Sequence, residues 1–153
     1  MSDGRRFATF RLDSMLFGVE VREVQEVIRY QEMTRVPLAP VMIQGLINLR
    51  GQIVTAIDLR QRLELPQREP GALPMNVVIR GDDGAVSLLV DEIGDVVEVE
   101  NEAFEKTPEI LKGVAREVVT GIYKLKDCLL LILDTDRAIQ LPTSFGRGGV
   151  SPT

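Results

Sequence analysis

The chain has 153 residues, 44% hydrophobic and 27% charged, with 18 Lys and Arg against 23 Asp and Glu for a net charge of −5. That length suits one domain or two very small ones, with a core that needs no staples, and the acidic balance argues against nucleic-acid binding, which relies on neutralised phosphates. The absence of histidine removes Ser-His-Asp and Cys-His arrangements, most zinc sites and any phosphohistidine relay, and the single Cys128 allows no internal disulfide and fits a reducing compartment.

In chain order the pattern favours strands. FATFRL at 7–12 alternates, with Ala8, Phe10 and Leu12 on one side and Phe7, Thr9 and Arg11 on the other, the mark of a half-buried strand. Asp13-Ser14 predicts a turn, and Leu16 to Val21 pairs back as a hairpin. Residues 18–26 allow a helix but read ambiguously, because Val19, Val21, Val24 and Val27 fit neither the helical nor the strand period cleanly. Short strand-like runs follow at 23–30, 43–50, 53–58, 76–80, 86–90, 94–99, 118–125 and 128–133. Gly51-Gln52 and Gly81-Asp82-Asp83-Gly84 read as tight hairpin turns. Asp58 can cap a short helix, LRQRLEL, in which Leu59 and Leu63 share a face and Pro66 ends the segment. Asp134 can cap TDRAIQL, which Pro142 ends. Many short strands with closely spaced turns predict a small barrel or sandwich.

The two caps expose a repeat. Residues 45–66 align without gaps to 121–142, and Gly45/Gly121, Leu49/Leu125, Asp58/Asp134, Leu65/Leu141 and Pro66/Pro142 are identical. A second echo pairs EVQEV at 23–27 with EIGDV at 92–96, and a longer loop at 100–117 absorbs the difference in spacing. The sequence therefore predicts two similar all-β units packed together: one over about 7–66, a Pro/Gly-rich linker at 67–74 and a second over about 75–142. Terminal segments are free to cross between them. The Gly- and Ser-rich tail at 143–153 is expected to be disordered.

Residues that could carry catalysis are sparse. No phosphate-binding glycine loop is present. Asp82 and Asp83 lie in a glycine turn, and Asp91, Glu92 and Asp95 lack the spacing of a calcium loop. Cys128 begins an apolar strand with no histidine to activate it, so a small packing role is expected. Phe7, Phe10 and Phe17 read as core. The start, MSDGRRFATF, predicts no signal peptide, and the longest apolar run, CLLLIL at 128–133, is too short to span a bilayer. The most specific stretch is GLINLRGQIVTAIDLRQRL at 45–63. There Arg50 is either an exposed hairpin charge or a fixed guanidinium that orders loops or engages a partner's carboxylate or carbonyls. Gly45 allows an unusual backbone angle or the close approach of another backbone.

The chain resembles the CheW family, the adaptors of bacterial chemotaxis arrays, over about 7–142. The match lies in FRL at 10–12, Phe17-Gly18, VQEVI at 24–28, TRVP at 34–37, IQGLINLRGQIV at 43–54, IDLR at 57–60 and VDEIGDV at 90–96. Thr55-Ala56 departs from it, since family members commonly carry proline and an aliphatic residue there. The resemblance implies a mainly β fold of two small five-stranded SH3-like barrels around a shared core, with one or two short helices. It implies no catalysis, no cofactor and no metal. The implied partners are the regulatory domain of a CheA-type histidine kinase and the signalling tip of methyl-accepting chemoreceptors, with no direct membrane insertion. The free protein is expected to be monomeric and cytoplasmic, and recruited to receptor arrays at the membrane. By similarity Val24, Glu26, Gly45, Asn48, Arg50 and Val96 belong at or behind the receptor surface, and Ile110 at a kinase contact. Val24 also reads as core, and Glu26 as a solvated charge. A CheW-like adaptor of a parallel system, such as twitching motility, fits the same motifs. A small β-barrel enzyme or ligand-binding protein is the alternative of a different class.

Overall fold

The computed structural model describes residues 4–82, 84–100, 104–105 and 113–140. The tail at 143–153, Pro142, Asp83 and Ile110 lie outside the described residues. Strand β1 (Gly4–Leu12) turns at Asp13-Ser14 into β2 (Met15–Glu20). A single 3-10 turn at Val21–Glu23 separates β2 from β3 (Val24–Ile28), which accounts for the mixed periodicity of 18–26. Next come β4 (Ile43–Leu49), β5 (Gln52–Asp58) and α1 (Leu59–Arg62), then β6 (Met75–Gly81), β7 (Gly84–Val90), β8 (Glu92–Glu100) and the two-residue β9 (Phe104–Glu105). The described chain closes with α2 (Gly113–Val118), β10 (Val119–Lys124), β11 (Leu129–Leu133) and α3 (Thr135–Ile139). Both expected caps form: Asp58 accepts from the Arg60 amide at 3.0 Å and Asp134 from the Arg137 amide at 3.1 Å. Helix α2 was not expected, since the sequence pattern there predicts only a strand from 118.

The strands make two sheets, the walls of two small SH3-like barrels. One runs β8-β1-β2-β11-β10 with β9 as a short sixth member; the other runs β3-β6-β7-β5-β4. The expected division at 67–74 follows the repeat but not the barrels, and here the structure corrects it. Strands β6 and β7 belong with β3, β4 and β5, while the N-terminal hairpin crosses to join β8, β10 and β11. The repeat is nevertheless present in the register. Phe10 faces Phe17 as Ile79 faces Val86, and Ile93 faces Phe10 as Val24 faces Ile79. Gly45 faces Ala56 as Gly121 faces Ile132, each just past a break in register. Each barrel thus takes its first hairpin from one repeat and its remaining long strands from the other. The parallel pairs β2–β11 and β5–β7 join the two parts. Parallel neighbours cannot be linked by a tight turn, so the intervening elements must cross over.

The swap explains why β1 is buried on both faces, where alternation predicted one. Phe10 and Leu12 enter a core shared by both barrels, together with Phe17, Val19, Val77, Ile79, Leu88, Leu131 and Leu133. Phe7 points the other way, into a barrel's own core with Val99, Tyr123, Leu130 and Ile132. The second barrel has the matching private core of Ile47, Leu49, Val54, Ala56, Val78 and Leu89. Phe7, Phe10 and Phe17 are all fully buried, as expected.

Candidate partner-binding site

Strands β3 and β4 are the outer strands of the five-stranded sheet. The Arg50 guanidinium forms an ion pair with the Glu26 carboxylate, so this contact ties the two edges together where the sheet curls on itself. Arg50 is 68% exposed and Glu26 only 21%: the carboxylate is the anchor and the guanidinium presents most of its donors outward. The turn between β4 and β5 is centred on Arg50 and Gly51, one residue earlier than expected. Both have positive φ, +53° and +88°, the arrangement whose twist suits a two-residue hairpin. Asn48 Oδ1 accepts from the Gly51 amide at 2.9 Å and holds the turn in place.

Gly45 supports the same strand from behind. A Cβ there would lie 2.7 Å from the Thr34 carbonyl oxygen and 2.9 Å from Met33 Cβ. The bare backbone lets Thr34 and Leu46 exchange two hydrogen bonds of 2.8 Å, so close approach is the reason for this glycine. Val24 is half-buried and packs against the shared core, whereas Val96 on β8 is 55% exposed. The structure therefore gathers Val24, Glu26, Gly45, Asn48 and Arg50 on β3, β4 and the turn after it, and puts Val96 on the other sheet.

One residue was missed. Laying 23–27 over 92–96 pairs Val96 with Val27, not with Val24, and Val27 is 38% exposed. The repeat of 45–66 in 121–142 likewise relates exposed Ile53 to exposed Leu129. A register break lies between Val24 and Glu26, so that Val24 stands opposite Ile79 and Val27 opposite Val77; Val24 packs against the shared core while Val27, further along the outer strand, is partly exposed. The cysteine expectation is corrected: Cys128 is exposed, in the turn before β11 rather than in its buried part.

A second charge cluster fixes the joint between the sheets. Asp91 is the one residue between β7 and β8, where the chain passes from one sheet to the other. Arg60 grips it with both prongs, Nε to Oδ1 at 2.9 Å and Nη2 to Oδ2 at 2.6 Å, and donates from Nη1 to the Pro66 carbonyl at 2.7 Å. The Asp13 amide donates to Asp91 Oδ2 at 2.8 Å, and Arg68 bridges Asp91 and Asp58 at 3.3 and 3.4 Å. Burial alone would raise the Asp91 pKa. The hydrogen bonds from Arg60 and the Asp13 amide, with the charges of Arg60 and Arg68, more than offset it and hold the carboxyl below its usual range. Arg60 is pushed up in turn, chiefly by its hydrogen bonds to Asp91.

Among the described residues no cluster of acidic, Cys or His side chains could hold a metal, and no helix is long and apolar enough to cross a membrane. The model of the CheW-like domain family matches residues 6–142. The chain belongs to the CheW family. It is 31% identical over 141 residues to the chemotaxis protein CheW of Bacillus subtilis, covering 92% of this chain and 90% of the relative. A probable chemotaxis protein CheW of Rhizobium etli is 30% identical over 132 residues, covering 86% and 85%. The crystal structure of the scaffolding protein TtCheW from Thermoanaerobacter tengcongensis superposes with a TM-score of 0.81 at 26% identity, covering 90% of this chain and 93% of that one. The CheW resemblance carried by the motifs therefore holds, and with it the mainly β fold of two SH3-like barrels.

Proposed function

We propose that this CheW-family chain is a non-catalytic chemotaxis adaptor that couples chemoreceptor signalling tips to the regulatory domain of a CheA-type histidine kinase. It works in the cytoplasm, at membrane-associated receptor arrays, and is monomeric when free. The observation that carries the proposal is the Arg50–Glu26 seam: an outward guanidinium, anchored by a more buried carboxylate, on an exposed hairpin with no metal cluster described near it. Such a group suits recognition of a carboxylate or a row of carbonyls on a docked helix, with exposed Val27 and Val96 supplying apolar area. Ile110 is assigned to the kinase contact on family resemblance alone. Signalling through an adaptor requires different affinities for the active and inactive arrays, so the protein biases a kinase equilibrium and catalyses nothing itself.

The test is titration of the protein against a CheA regulatory domain and a receptor-tip fragment from the same source. Saturable binding to both supports the proposal. Binding to neither by the folded protein overturns it and directs attention to another pathway, and turnover of a small molecule by the isolated chain would replace it with an enzyme.

A further inference from the structure

We propose that the loop at 36–41 is a second docking surface, with Leu38 as an apolar knob that enters a pocket on a partner protein. Val36-Pro37-Leu38-Ala39 is a turn closed by the Ala39 amide donating to the Val36 carbonyl at 3.3 Å, and Leu38 holds φ +65°. With proline second and positive φ third, this is the turn that favours Gly or Asn in third place, where a leucine is strained. Leu38 is also 99% exposed, so no packing among the described residues offsets the strain. Strained residues that persist in well-fixed surroundings are candidates for function. The surroundings are fixed: the Ile43 amide donates to Pro40 at 2.9 Å and the Asp58 amide to Met42 at 2.8 Å, and the Thr34–Leu46 exchange anchors the other end.

Val36 and Val41 are exposed beside Leu38, at 37% and 68%. A groove of about 610 Å³ runs along residues 35–41 to Ile43, Gln44 and Gln61, and among the described residues Arg35 is the one charged side chain lining it. The complementary surface is apolar with a carboxylate at its rim. A membrane is the poorer fit, because a single arginine at the groove, on a chain of net charge −5, is far short of the cluster of basic residues that draws a protein to an anionic leaflet.

The loop precedes β4, and the Arg50 turn follows it, so the seven residues of β4 separate them by about 20 Å. If the receptor tip sits at Arg50, Leu38 faces the other partner, the kinase regulatory domain. The inference rests on the adaptor function proposed above.

The experiment titrates wild type, Leu38→Asn and Leu38→Met against the CheA regulatory domain and the receptor-tip fragment, with melting curves for each. Leu38→Asn should weaken kinase-domain binding at least about tenfold, leave tip binding within about twofold, and melt at the same or a higher temperature because Asn tolerates positive φ. Leu38→Met should keep kinase-domain affinity. Equal kinase-domain affinity for wild type and Leu38→Asn overturns the inference while leaving the adaptor function standing, as does a loss confined to the tip. Binding of wild type to phosphatidylserine-containing vesicles that Leu38→Asn abolishes assigns the loop to a membrane instead. If wild type binds neither protein, both proposals fall.

Discussion

Replacing Arg50 with alanine separates the two roles an exposed arginine can have. Arg50 already sits at φ +53°, and alanine is as strained there as arginine, so the substitution leaves the turn's backbone cost unchanged. The lost ion pair has one partner 68% exposed and is worth about 0.5–1 kcal/mol to the fold. For a chain of this size each kcal/mol moves the melting temperature by about 2–4 °C, so the expected fall is at most about 4 °C. A guanidinium at the centre of a docked interface is worth about 2 kcal/mol or more, roughly a thirtyfold loss of receptor-tip affinity by calorimetry. Glu26→Gln keeps the shape and removes the anchoring charge. If Glu26 acts only by holding Arg50, it should show the same loss, and the double variant should add almost nothing. A melting temperature lowered by more than about 8 °C, with kinase-domain and tip binding lost together, would show that the seam is structural. An unchanged tip affinity in a stable variant would falsify the placement of the receptor at Arg50.

The other predictions test separate parts of the molecule. Gly45→Ala puts a Cβ 2.7 Å from the Thr34 carbonyl oxygen and should cost about 1–3 kcal/mol in urea unfolding, against no effect if β4 can shift away. Val96→Met adds bulk at an exposed site, so it should alter tip affinity while the melting temperature stays within about 2 °C; a large loss of stability would mark Val96 as core. Asp91 has a lowered folded pKa, so its contribution is present above the ordinary Asp range and is lost as pH falls through that lowered value. Asp91→Asn should therefore cost about 2 kcal/mol at neutral pH and make stability less steep in acid, which a pH series of denaturant melts reads directly. Ile110→Glu should weaken kinase-domain binding more than tip binding, and unchanged kinase affinity rejects that assignment.

Individual strands, caps and both halves of the repeat were legible because each depends on local pattern. Asp58 and Asp134 cap their helices in any arrangement of the barrels, and Gly45 and Gly121 hold the same place after a register break in either. The pairing of repeats was not legible. A hairpin such as β1–β2 presents the same faces to β11 of the other repeat as it would to β5 of its own, and the periodicity of neither strand distinguishes the two. One signal did point to the exchange: Phe7, opposite Phe10 in phase, is as apolar as its neighbour, which a strand with one face in water has no reason to be. The site shows the same limit. Arg50 stood out as a cation before a hairpin glycine beside apolar strands, and the family resemblance is what favoured a binding role over a plain exposed charge. Its pairing with Glu26 spans 24 residues and depends on how the sheet curls, and the half-burial of Val24 depends on its packing against a core that both barrels share. The candidate surface is thus written in two parts. Residue types carry its chemistry, and the exchange of hairpins between repeats sets which of those residues meet.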